Sequence, residues 1–113
     1  MRTIWSKKSD EILSVGRWLG DVGVDNWALT REQALMALDK FEAEAIGIFG
    51  GDVFDNQRGE LQPNCDNWNC DPEPDESKSA FVFRSIMKAR AYIANYQGTE
   101  CFFVIVPTDY LDP

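Results

Sequence analysis

Ile46-Gly47-Ile48-Phe49-Gly50-Gly51-Asp52-Val53-Phe54 is the stretch where the chain changes its hydrophobic period. Upstream, apolar residues recur every three or four positions. Here they run together or alternate, which predicts a strand. Gly50-Gly51 predicts a bulge or tight bend within that strand. A phosphate-binding loop would need G-x-x-x-x-G-K-[ST], and Asp52 would repel the phosphate. Asp55-Asn56-Gln57-Arg58-Gly59 reads as a turn. Residues 60–70 then return as a second strand, antiparallel to the first.

Working outward toward the N-terminus, Leu35, Leu38, Phe41 and Ala45 form one apolar stripe, so a helix precedes the strand. Thr30 with Gln33 three residues on has the spacing of a capping box and sets its start. Asn26-Trp27-Ala28-Leu29 reads as a short connection. Ile12, Val15, Leu19 and Val22 predict a further helix across residues 6–22, loosened at its end by Gly20 and Gly23. Toward the C-terminus, Asp71-Pro72-Glu73-Pro74-Asp75-Glu76 is a loop, because its two prolines exclude helix and paired strand. Ser77 or Ser79 caps a third helix reaching about Tyr96. Its stripe is Val82, Ile86, Ala89 and Ile93 with Phe83 and Met87 alongside, and Lys78, Arg84, Lys88 and Arg90 read as its solvated face. Gly98 ends it. Phe102-Phe103-Val104-Ile105-Val106 is apolar on both faces and predicts a strand covered on both sides, stopped by Pro107. The expected fold is α+β, in the order α-α-β-β-α-β. A small mixed three-stranded sheet would pack with three helices in a single domain across 1–113. If the last strand runs parallel to the second, the third helix is a right-handed crossover.

The 113 residues are 44% hydrophobic, enough for a core without a disulfide or metal. The net charge of -8 argues against nucleic acid or an anionic membrane as ligand and suits a basic protein partner. No apolar run approaches a membrane span, and Met1-Arg2-Thr3-Ile4-Trp5 opens no signal peptide. Three cysteines, an odd number, agree with a reducing compartment, so a cytoplasmic location is expected. Nothing in the sequence demands a dimer, and the free chain is expected to be monomeric.

The acidity is local. Residues 39–76 hold eleven acidic and two basic side chains, a net of -9, while the remainder carries +1. The excess lies in the hairpin and the Pro loop, which marks Asp52, Asp55, Glu60, Asp66 and Asp71 as a candidate binding face, with Asn67 and Trp68 between them. Trp68 stands among polar neighbours, as a hot-spot anchor on a surface strand would. It could equally point inward beneath a helix. Trp5, Trp18 and Trp27 read as core or core-edge.

The sequence has no histidine, which removes Ser-His and Cys-His nucleophile activation. Paired carboxylates in the hairpin could still do acid-base work, so a carboxylate enzyme is the lesser alternative. Cys65 and Cys70 have a spacing found in some thiolate sites, but with only Cys101 left they fall short of four zinc ligands. No oxygen-ligand pattern for calcium occurs either. No cofactor or metal is expected.

Several stretches together resemble the immunity protein 40 family of bacterial polymorphic toxin systems. They are Glu11-Ile12-Leu13-Ser14-Val15-Gly16-Arg17, Asn26-Trp27-Ala28-Leu29-Thr30-Arg31-Glu32, Ile48-Phe49-Gly50-Gly51-Asp52-Val53 and Asp66-Asn67-Trp68. The helix over residues 81–96 and Phe103-Val104-Ile105-Val106-Pro107 are similar too. The resemblance implies a protein that binds the C-terminal domain of a cognate toxin and protects the producing cell. A nuclease with a basic cleft would suit an acidic inhibitor whose carboxylates stand in for phosphates. The alternative is a small regulatory or adaptor module that grips another basic protein.

Overall fold

In the computed structural model, which describes residues 5–109, the order is α1 (Lys7–Leu13), β1 (Arg17–Trp18), β2 (Trp27–Ala28), α2 (Arg31–Ala43), β3 (Ile48–Gln57), β4 (Glu60–Asn69), α3 (Lys78–Asn95) and β5 (Cys101–Pro107). The class is α+β. Met1–Ile4, included in the reading of the N-terminus, lie outside the described residues.

The strand that opens at Ile48 is the centre of a three-stranded sheet of order β4-β3-β5. Both neighbours run antiparallel to β3, so the sheet is wholly antiparallel rather than mixed as expected, because β3 stands between β4 and β5 and keeps that parallel pair from meeting. β5 therefore points the same way as β4, as a crossover by the third helix requires, but β3 lies between them. The glycine irregularity is present. The ladder with β5 shifts register between Ile48 and Gly50, and the ladder with β4 shifts between Asp52 and Phe54.

Thr30 and Gln33 make the reciprocal capping box that starts α2, and Ser77 accepts from the backbone N–H of Ala80 to start α3. Ala34, Leu38 and Phe41 of α2 and Val82, Ile86, Ala89 and Ile93 of α3 are buried against Val53, Trp68, Phe103 and Ile105 of the sheet. The opposite face carries a smaller cluster, Phe54, Leu61 and Val104 beneath Leu19 and Ala28. β5 is thus covered on both sides, as its apolar run implied.

The first helix is shorter than the stripe suggested. α1 ends at Leu13; Ile12 and Leu19 are buried while Val15 and Val22 are exposed. The reason is a close crossing at Gly16, where a Cβ would stand 2.5 Å from the Ala28 carbonyl oxygen. The chain leaves the helix there and lays β1 antiparallel against β2, with a 3-10 turn at Gly20–Val22 between them. The segment read as a connection therefore pairs. Leu29 exchanges both backbone hydrogen bonds with Phe103, at 2.8 and 2.7 Å, and protects the outer edge of β5. No helix among the described residues is long and apolar enough to cross a membrane.

Candidate functional site

The hairpin β3–β4 carries most of the candidate residues, and strand alternation sorts them between two faces. Gly51 and Trp68 are register partners that face the helices. The next pair, Asp52 and Asn67, therefore faces away, and both are exposed. Asp55 returns to the helix side, near the C-terminal end of α3. Glu60 sits at the hairpin turn opposite Gln57. Asp71 follows β4 in the Pro loop and is exposed. Glu60 and Asp71 are separated by the full length of β4, roughly 30 Å at about 3.3 Å per residue. The candidates form a strip along an edge strand rather than one compact patch.

Two of them meet in a built network. Between Asp52 and Phe54 the partner strand is bulged, and three residues, Asn64, Cys65 and Asp66, stand opposite Val53. Cys65 takes φ +73° there, and the Asn64 side chain accepts from the Asp66 backbone N–H at 2.9 Å. The Asn64 amide donates to Asp55 Oδ1 at 3.0 Å and to the Tyr96 hydroxyl at 2.9 Å. Tyr96 in turn donates to Asp66 Oδ2 at 2.5 Å. That bond to a carboxylate, with burial, pushes the Tyr96 hydroxyl up to about 12. The same bulge, with Pro63 beside it, interrupts the free edge of β4 and protects it from pairing with another strand.

Trp68, open in the sequence between surface anchor and core residue, is a core residue. It is 6% exposed and stacks on Tyr92 with ring centroids 4.8 Å apart. The physical reason is its partner across the ladder: the indole lies over Gly51, where a Cβ would come within 2.3 Å of the ring. Tyr92 continues to Tyr96, and Tyr96 meets Phe103 edge-on at 5.7 Å. An aromatic ladder under α3 thus positions the hydroxyl that holds Asp66. Trp5 and Trp27 are buried, and Trp18 packs on Trp27 at 4.8 Å, in line with core and core-edge roles.

Of the α3 cations, Lys78 and Lys88 are exposed as read, whereas Arg84 and Arg90 are half-buried in contacts with other elements. Arg84 donates to both oxygens of Glu76 at 2.7 Å, to the Asp71 carbonyl at 2.7 Å and to Cys70 Sγ at 3.1 Å. This holds the Pro loop against the helix, and the Arg84 hydrogen bonds lower the Glu76 carboxyl from 4.5 to about 2. Arg90 reaches Asp39 and Glu42 of α2 at 2.7 and 3.2 Å, and Lys8 lies 3.5 Å from Glu44.

These pairs take up four of the eleven acidic residues in 39–76: Asp39, Glu42, Glu44 and Glu76. The seven left are Asp52, Asp55, Glu60, Asp66, Asp71, Glu73 and Asp75, all on the hairpin or the Pro loop, and none has an ion pair among the described residues. Sequence reasoning found five of these. It missed Asn64 and Tyr96, whose only signal was their place at a bulge and a helix end. The cysteines are free thiols, Cys65 exposed and Cys70 buried. Among the described residues no three His, Cys, Asp or Glu side chains converge as metal ligands would.

Residues 18–107 match the family model described as Immunity protein 40. No curated protein matches the chain.

Proposed function

This chain belongs to the immunity protein 40 family, and from that membership we propose that it binds a cognate bacterial toxin domain and neutralises it by occlusion. The observation that supports an acidic face is that the seven hairpin and Pro-loop carboxylates lack ion pairs among the described residues, whereas Asp39, Glu42 and Glu44 each have a cation partner. Carboxylates left without internal cations keep their field outside the molecule, where it can attract a basic partner. Asp52 and Asn67 offer one face of the strip, Asp55 and Asp66 the other, and Glu60 and Asp71 its two ends. The fixed Asn64–Tyr96 network presents Asp55 and Asp66 preorganised, so little side-chain entropy is lost on docking. A cleft built for phosphates is the complementary surface, which makes a nuclease the toxin class that fits best.

The reading makes binding, not catalysis, the activity of this chain. Its test is co-expression with its cognate toxin domain, scored for survival and for a complex that copurifies. Survival with a stoichiometric complex is the expected result. Death of the cells, with both proteins soluble and separate, would remove the proposal.

A further inference from the structure

The outward side of α3 is apolar, which is unusual for a helix whose other side already fills the core. Ala80, Phe83, Met87, Ala91 and Ala94 recur at spacings of three and four, so they form one stripe along the helix. All five are exposed, Phe83 at 59% and Met87 at 50%. An amphipathic surface helix turns charged residues to solvent, whereas a helix apolar on all sides is normally covered. The charged residues that could have covered the stripe are drawn off sideways. Arg84 and Lys88 are tied to Glu76, the Asp71 carbonyl and the Asn69 carbonyl on one flank. Arg90 is tied to Asp39 and Glu42 on the other.

We propose that this stripe is the apolar anchor of the interface with the toxin domain, the role that the burial of Trp68 leaves vacant. The inference rests on the toxin-binding reading. Charge selects the occupant. On the α2 flank one guanidinium serves two carboxylates, and the Asp39 side chain remains 71% exposed. On the other flank Arg84 and Lys88 stand against Glu76, Asp71, Glu73 and Asp75, two cations against four carboxylates. With Arg31 reaching the Ala94 carbonyl, the α2 side is balanced, while the Pro-loop side of the rim is net acidic and fits an apolar hollow bordered by basic side chains. A second copy of this chain would bring like rims together and add two net charges of -8.

The experiment measures binding kinetics of the purified cognate toxin domain. The proteins compared are the full chain, the double variant Phe83→Ala/Met87→Ala and the single variant Met87→Glu. Because both side chains are exposed, melting temperatures should match wild type. Glutamate also keeps the helix well formed, so Met87→Glu covers any unexpected misfolding of the double variant. The expected result is dissociation faster by roughly 30-fold or more in the double variant, with association within about threefold of wild type. Wild-type kinetics in both variants would overturn the anchor while leaving the toxin reading intact. A micromolar wild-type dimer that Phe83→Ala/Met87→Ala abolishes, and that the toxin does not compete with, would overturn it in favour of self-association. Absence of any wild-type binding would overturn this inference together with the reading it rests on.

Discussion

Trp68 shows how one residue's role depends on its partner across the strand. Its polar sequence neighbours are true surface residues, but the indole itself enters the core because Gly51 leaves it room. Its Nε1–H is buried without a hydrogen-bond partner among the described residues. An unsatisfied buried donor costs about 1–3 kcal/mol, which offsets part of what the ring contributes. Trp68→Ala should therefore lose about 3–5 kcal/mol, whereas Trp68→Phe, which keeps an aromatic ring on Tyr92 and removes the orphan donor, should lose less than about 2 kcal/mol. Urea unfolding of the two variants measures the difference; equal losses would mean that the indole N–H is satisfied in solution. Glu76 makes a second residue-scale prediction. Its carboxyl is depressed by Arg84 from 4.5 to about 2, so its contribution to stability is present above pH 4.5 and is lost as pH falls through about 2. Glu76→Gln should be less stable than wild type at neutral pH. The two unfolding curves should converge between those pH values, read by chemical denaturation at a series of pH points.

At the scale of elements, α2 was legible because its start is written in local chemistry. Thr30 caps Gln33 N–H at 3.1 Å and Gln33 returns the bond to Thr30 N–H at 3.0 Å. Thr30→Ala should cost about 1 kcal/mol, read as a lower urea midpoint with an unchanged slope. The strands β3 and β5 and the start of α3 were legible for similar reasons: contiguous apolar runs and a serine cap. The helix expected over residues 6–22 was not, because its four apolar positions fit a helix period while two of them, Val15 and Val22, face solvent. What ends α1 is the approach of Ala28 to Gly16, a contact between residues twelve apart that no local pattern carries. β1 and β2, at two residues each, are too short to display any period. The candidate site divides the same way. Clustering of acid along the chain pointed to the hairpin, yet which acids are neutralised depends on Lys8, Arg84 and Arg90 arriving from other elements. The distribution of Asp52 and Asp55 to opposite faces follows from β alternation, but Asp66 joins Asp55 only because of the bulge at Asn64–Cys65.

Over the whole molecule the surplus charge is set by what the fold leaves unpaired, and this decides how a charge test should be designed. Asp55 and Asp66 belong to the Tyr96 network, so neutralising them would also disturb the bulge. Asp52, Glu60 and the Asp71 side chain have no such bonds among the described residues, and all three are exposed. Asp52→Asn/Glu60→Gln/Asp71→Asn should fold as wild type does, because relieving repulsion in a chain of net charge -8 does not weaken it. Attraction acts before contact, so the loss should appear in the association rate with the toxin domain, roughly tenfold or more at low salt. The same variant should dissociate nearly as wild type does, the reverse of what the apolar stripe on α3 predicts for its own substitutions. Salt separates the two further. At about 1 M the screening length is about 3 Å, so the association rates of wild type and charge variant should merge. Stopped-flow association across an ionic-strength series measures this directly. A variant that associates as fast as wild type at low salt would assign recognition to a surface other than the hairpin strip.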